Sequence, residues 1–189
     1  MAKKPENPVP PTGADIRESG RSGRREPVLC GDLDMRIDVN GQWYYHGSPI
    51  GRKELVRLFA GVLRRDDSGE YWLQTPAEKG RIAVEDVPFV AVELNREGSG
   101  RKQTVTVRTN VDDVVTIDAD HPLRIATDPS TGTPIPYVTV RDRIEARLAR
   151  SVYYEMVALG VEETAESDHI YGIWSGGVFH ALGRPEETP

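Results

Sequence analysis

Apolar and polar residues alternate along much of the chain, and that two-residue period predicts strands. Met35-Arg36-Ile37-Asp38-Val39 changes face at every residue, Asn40-Gly41 follows, and Gln42-Trp43-Tyr44-Tyr45-His46 resumes the pattern. Asn-Gly accepts the positive φ angles of a tight turn, so the stretch predicts a hairpin. The alternation would put Trp43 and Tyr45 on one face and Tyr44 and His46 on the other.

The period then changes. Leu55, Leu58, Phe59, Val62 and Leu63 fall at the spacing of a core-facing helical stripe. Ser48 with Pro49, or Gly51, would start that helix, and Asp66-Asp67-Ser68-Gly69 would stop it. Strands are predicted over Glu70 to Thr75, Arg81 to Glu85, Pro88 to Leu94, Gln103 to Thr109, Val114 to Asp118, His121 to Thr127 and Pro136 to Thr139. A second helix is predicted from Val140 to Leu159. Thr139 and Asp142 have the capping-box spacing, and Ile144, Leu148, Val152, Met156 and Leu159 form a stripe that Gly160 ends. A terminal hairpin over Ile170 to Ser175 and Val178 to Leu182 turns at Gly176-Gly177.

The order hairpin, helix, aromatic strand therefore occurs twice, with Tyr71-Trp72 in the first copy and Tyr171 and Trp174 in the second. The fold class is α+β, in two small domains with a duplicated hairpin-helix-strand arrangement. The expected division is a disordered tail over 1–27, an α+β domain over 28–85 and a mostly-β domain with one long helix over 86–185. The tail is rich in Pro and Gly and nearly free of large apolar residues, so burial cannot offset its ordering entropy. Two such halves would leave a seam, a common place for ligands.

Composition narrows the function classes. The 189 residues carry 24 Lys+Arg against 30 Asp+Glu, a net charge of -6 that argues against nonspecific binding to nucleic acid or anionic membrane. Cys30 is the only cysteine, so no internal disulfide forms, which fits a reducing compartment. With no signal-like or membrane-length apolar run, the cytoplasm is expected. No nucleophile elbow, phosphate loop, dinucleotide fingerprint or zinc-helix motif occurs. Asp32, Asp34, Asp38 and Asn40-Gly41 fail the calcium-loop spacing. His46, His121, His169 and His180 are scattered, and neither a metal nor a cofactor is expected.

Several groups remain as candidates. Trp43 and Tyr44 offer π surface for stacking, against a core role. His121 with Asp118 and Asp120 is the raw material of general base catalysis, against a turn role. Adjacent Glu85 and Asp86 face opposite ways on a strand, which argues against a catalytic dyad. Arg143, Arg147 and Arg150, with Tyr154, would lie along one face of the second helix and hold a phosphate or an acidic protein partner, against a solvated face. Arg52 at the start of the first helix would add a phosphate contact.

Together, Cys30 to Ile37, Trp43-Tyr44-Tyr45-His46-Gly47-Ser48-Pro49-Ile50, Glu85-Asp86-Val87-Pro88-Phe89 and Asp120-His121-Pro122-Leu123-Arg124 resemble the bacterial family known as domain of unknown function 1285. The resemblance implies a duplicated two-domain core and a C-terminal domain loosely similar to pleckstrin-homology-like folds. It also implies a ligand site at the domain interface, a nucleotide-like ligand and a signalling role. Carried over to the matching motifs, it makes Trp43, His46, Glu85, Asp86, His121 and Arg124 site candidates. The resulting expectation is a binding protein for a small anionic ligand. The alternatives are a protein-interaction module using the arginines and a hydrolase or transferase using His121.

Overall fold

The computed structural model of the chain describes residues 27–165 and 168–183. The expected tail, Pro27 aside, lies outside the described residues, as do the last residues of the expected second domain. The architecture is mixed α+β and mostly strands, with two short helices.

The first six strands are β1 (Val28–Ile37), β2 (Trp43–Tyr45), β3 (Ser48–Pro49), β4 (Leu63–Arg65), β5 (Tyr71–Gln74) and β6 (Glu78–Val84). They form one sheet in the order β3-β2-β1-β6-β5-β4. Neighbours are antiparallel except for the central pair, where β1 runs parallel to β6 with Ile37 opposite Val84. Helix α1 (Lys53–Val62) connects β3 to β4.

The next six strands are β7 (Phe89–Glu97), β8 (Thr104–Thr109), β9 (Val114–Thr116), β10 (Leu123–Thr127), β11 (Pro134–Arg141) and β12 (Ile144–Leu148). Their order is β10-β11-β12-β7-β8-β9. Again the central pair, β12 with β7, is parallel and the rest are antiparallel. Each sheet is thus two three-stranded meanders joined at a parallel pair. Helix α2 (Arg150–Val157) follows β12. It leads to a third sheet of β13 (Val161–Ala165), β14 (Asp168–Ser175) and β15 (Val178–Gly183).

Burial follows the alternation closely. Val105, Val107 and Thr109 of β8 are buried while the residues between them are half-buried, the signature of a strand with one face on the core. One continuous apolar cluster runs through both large sheets, from Ile37, Trp43 and Leu63 to Phe89, Val138 and Met156. The seam between the sheets is therefore packed rather than open along its length.

Polar clamps fix the relation of the two sheets. Gly41, in the β1–β2 turn, has φ +73, and a Cβ there would sit 2.7 Å from Asn110 Nδ2. That close approach lets Asn110 donate to the Gly41 carbonyl at 3.1 Å while its Oδ1 accepts from the Val90 amide at 3.1 Å. Lys53 (2.9 Å), Arg57 and Arg108 (2.8 Å) all pair with Asp112, tying α1 to the second sheet. The third sheet docks through the buried Ser175 hydroxyl, which donates to the Ile117 carbonyl at 2.6 Å and accepts from the Val105 amide at 2.9 Å.

Several expectations need correction. The helix expected over 140–159 is a hairpin followed by a helix of eight residues. Ile144 and Leu148 are both buried, but so is Ala146 between them, because a strand reading places all three on one face. Asp142-Arg143 makes the turn, with Arg143 at φ +58, and Thr139 is a strand residue rather than a cap. Arg143, Arg147 and Arg150 consequently sit on a turn, a strand and a helix start, not on one helical face. In the first helix Leu58 is 65% exposed and Leu63 belongs to β4, while Ala60 carries the buried position. Ser48 and Pro49 pair with β2 instead of capping the helix. Tyr45 does not share Trp43's burial: it is 51% exposed because β2 ends there in the His46-Gly47 turn.

Candidate functional site

Two grooves stand out among the described residues. The larger, about 810 Å³, lies at the seam. The β1–β2 turn supplies Val39 and Asn40, the β10–β11 loop supplies Thr131 to Thr133, the start of β11 supplies Pro134 to Pro136, and the end of β12 and start of α2 supply Arg147 to Arg150 with Tyr153 and Tyr154. Val39 and Tyr154 are both well exposed for their apolar size.

Helix α2 opens onto this groove without a cap. Ala149 holds the N-cap position and makes no side-chain capping bond. The helical ladder begins with the Tyr153 amide on the Ala149 carbonyl, so the amides of Arg150, Ser151 and Val152 have no acceptor within the helix. Such an end carries partial positive charge. The Arg150 guanidinium donates to the Tyr154 hydroxyl at 3.0 and 3.1 Å and has no carboxylate partner among the described residues. Arg147 reaches Asp86 only at 3.8 Å.

A polar network backs the Arg147 side. The Tyr137 hydroxyl donates to both oxygens of Asp86, at 3.0 and 3.2 Å. Arg124 lies 4.2 Å from the Tyr137 ring centre and forks onto Glu145 with two bonds of 2.8 Å. Burial, then the Asp86 hydrogen bond, raises the Tyr137 phenol above its ordinary range, so it stays a donor. The Glu145 hydrogen bonds raise Arg124 further against the opposing effect of burial.

The other wall has its own support. Glu85 pairs with Arg36 and accepts from the Val39 amide at 3.3 Å. Tyr44 lies 4.1 Å under the Arg36 guanidinium and donates to Asp38 at 3.3 Å. Asp38 in turn accepts from the Asn40 and Gln42 amides, each at 2.9 Å, and shapes the turn.

Of the sequence candidates, Asp86 meets Tyr137 and Arg147 of the second sheet, Tyr44 and Glu85 make their contacts within the first half, and Arg124 makes its contacts within the second sheet; none of the four lines the larger groove. The other four are elsewhere. Trp43 is buried in the core and stacks on Phe59 at 6.2 Å. His46 is exposed and bonds Asp34 at 2.7 Å. His121 bonds Asp118 at 3.1 Å outside both grooves. Burial works against the Asp118 charge, but hydrogen bonds from the His121 amide and ring and the Asp120 amide hold its carboxyl below the ordinary range. Arg52 occupies the N-cap of α1 and is exposed. Sequence reasoning missed Tyr137, Asn110 and the bare start of α2, since each matters through a partner distant in sequence.

The second groove, about 540 Å³, lies against the first sheet and is bounded by β1, β4 to β6 and Asp86. Among the described residues no three His, Cys, Asp or Glu side chains gather as a metal ion would need. No helix among them is long and apolar enough to cross a membrane.

Comparison with known proteins assigns the family. Residues 24–87 match the model described as "Domain of unknown function (DUF1285), N-terminal domain", and residues 88–182 match "Protein of unknown function (DUF1285), C-terminal domain". The crystal structure of a DUF1285 family protein from Silicibacter pomeroyi DSS-3 is similar at 43% identity and a TM-score of 0.79, covering 86% of each chain. One from Shewanella baltica OS155 is 26% identical with a TM-score of 0.53, over 67% of this chain and 91% of that one. No curated protein matches. The chain belongs to the DUF1285 family of bacterial proteins, whose function is not assigned.

Proposed function

We propose that this protein binds a small anionic ligand in the larger seam groove. The observation that carries the reading is the uncapped start of α2 between Arg147 and Arg150, at the edge of a groove of about 810 Å³. Amides with no acceptor within the helix, and a guanidinium with no carboxylate partner among the described residues, are the chemistry that recognises a phosphate or carboxylate. The Tyr154 ring, Val39, and Pro134 and Pro136 of β11 offer apolar surface for a flat body, as in a nucleotide. The groove volume falls within the range typical of small-molecule sites. Tyr44, Glu85, Asp86 and Arg124 act as positioning residues, holding the β1–β2 turn and Arg147. A signalling role belongs to this proposal on the family resemblance alone.

The same proposal includes an internal duplication. The two six-stranded sheets share one strand order, a parallel pair flanked by antiparallel meanders, which supports it. The helices occupy different places, α1 inside the first unit and α2 after the second. The pleckstrin-homology-like reading of the second half comes from the family resemblance, and the six-stranded antiparallel-rich sheet followed by α2 supports it.

Thermal melts with millimolar AMP, ADP, GMP and inorganic pyrophosphate test the reading. A ligand at a hundred times its dissociation constant adds about 2.7 kcal/mol, several degrees for a chain of this size. Arg150→Ala should remove the shift. A flat response to the whole panel, or an unchanged shift in Arg150→Ala, would overturn it.

A further inference from the structure

The lining of the larger groove carries Arg147 and Arg150 and no carboxylate, so the charge that faces a ligand there is positive. Arg147 is held only loosely from outside the lining, by Asp86 at 3.8 Å. Tyr153, on α2, lines the same groove, is 6% exposed, and has no hydrogen-bond partner for its hydroxyl among the described residues. The sealed side-chain polar atoms that lack a partner among those residues are Trp43 Nε1, Tyr71 Oη, Arg141 Nε and His180 Nε2. The Tyr153 oxygen is not one of them, so it keeps surface of its own on a residue that borders the groove. Side chains on a helix lean toward its N-terminus, which lays the Tyr153 ring over the turn that begins at Arg150. That turn holds the Arg150, Ser151 and Val152 amides, which have no acceptor within the helix.

We propose that the groove takes a terminal phosphate monoester, its three free oxygens accepting from the α2 amides, from the Arg147 and Arg150 guanidinium groups, and from the Tyr153 hydroxyl. Such a ligand presupposes the anion binding proposed above and narrows it to one chemical class. A monoester near neutral pH carries close to two negative charges, which match the two guanidinium groups, and it has a third terminal oxygen for the phenol. A carboxylate or a phosphodiester carries one charge and two free oxygens, and leaves the phenol unused. Burial, with Tyr154 adding, keeps the Tyr153 phenol above its ordinary range, so it donates at neutral pH. Nucleoside monophosphates and sugar phosphates both present this group.

Phenyl phosphate, methyl phenyl phosphate and benzoate share one ring and differ in the anion, so thermal melts of the full chain with each, at equal ionic strength, test the class. Phenyl phosphate should give a saturable rise in melting temperature, and the diester and the carboxylate should bind at least about tenfold more weakly. Tyr153→Phe should melt close to the wild type without ligand, since it keeps the ring and breaks no internal bond. It should weaken phenyl phosphate at least about tenfold, the scale of one hydrogen bond to a charged group, and leave benzoate unchanged. AMP and glucose 6-phosphate, run alongside, separate the two sources: AMP should bind more tightly because its flat base has the Tyr154 ring to rest on. Equal binding of the three phenyl probes, or full affinity of Tyr153→Phe for phenyl phosphate, overturns the monoester; if Arg150→Ala still abolishes that binding, the anion reading stands without it. No response to any probe overturns both.

Discussion

Gly41→Ala is the sharpest probe of the seam. The residue has φ +73, a conformation that costs a residue with a Cβ about 1–2 kcal/mol. The new methyl would lie 2.7 Å from Asn110 Nδ2 and 3.1 Å from Val90 Cγ2, too close to either. Asn110 must shift, and its two bonds, to the Gly41 carbonyl and from the Val90 amide, would weaken together. At about 0.5–1.5 kcal/mol each, the total loss is about 2–5 kcal/mol. Gly177→Ala is the control: its φ is +77 but nothing lies within 4 Å of a Cβ there, so only the conformational cost applies. Urea unfolding of both variants measures the difference. Equal losses for the two would refute the claim that Asn110 clamps the sheets. Because Gly41 shapes the wall formed by Val39 and Asn40, the variant should also weaken ligand binding in the seam groove.

Other outcomes follow from the same geometry. Ser175→Ala removes a buried hydroxyl and strands the Val105 amide and Ile117 carbonyl, so stability should fall by about 1–3 kcal/mol, with β14 and β15 losing amide protection first in hydrogen exchange. Burial holds His180 below its ordinary 6.5 and its Nε2 has no partner among the described residues, so the unfolded chain takes the proton first. Stability should therefore be lost as pH falls below about 6.5, and urea midpoints at successive pH values should show a smaller loss in His180→Gln. Asp66 is held down to about 2, chiefly by the Ser68 hydroxyl with help from the Trp72 indole and backbone amides. Its contribution is present above the ordinary 3.8 and disappears as pH falls toward 2, and Asp66→Asn should flatten that part of an acid-unfolding curve.

The strands were readable because alternation needs only neighbours. The Asn40-Gly41 turn and the Gly176-Gly177 hairpin stand where the pattern put them. The 140–159 segment is ambiguous in sequence because Ile144 and Leu148 satisfy both a four-residue and a two-residue period, and the small Ala146 between them is the residue that distinguishes strand from helix. Leu58 shows the converse, a stripe position left at the surface because Ala60 packs in its place. The contacts of Glu85, Asp86 and Arg124, to Val39, to Tyr137 and Arg147, and to Glu145, all join residues distant in sequence, which a motif does not display. The bare helix start is hidden in sequence because the period-four pattern over 140–159 places Ala149 inside a helix.

The most direct test of the proposed anion binding in the larger groove is a nuclear magnetic resonance titration of backbone amides with pyrophosphate. The largest shifts should fall on Arg150, Ser151 and Val152 and on Val39 and Asn40 across the groove, and should vanish in Arg150→Ala. Shifts centred on the start of α1 at Arg52, or none at those five amides, would contradict the assignment.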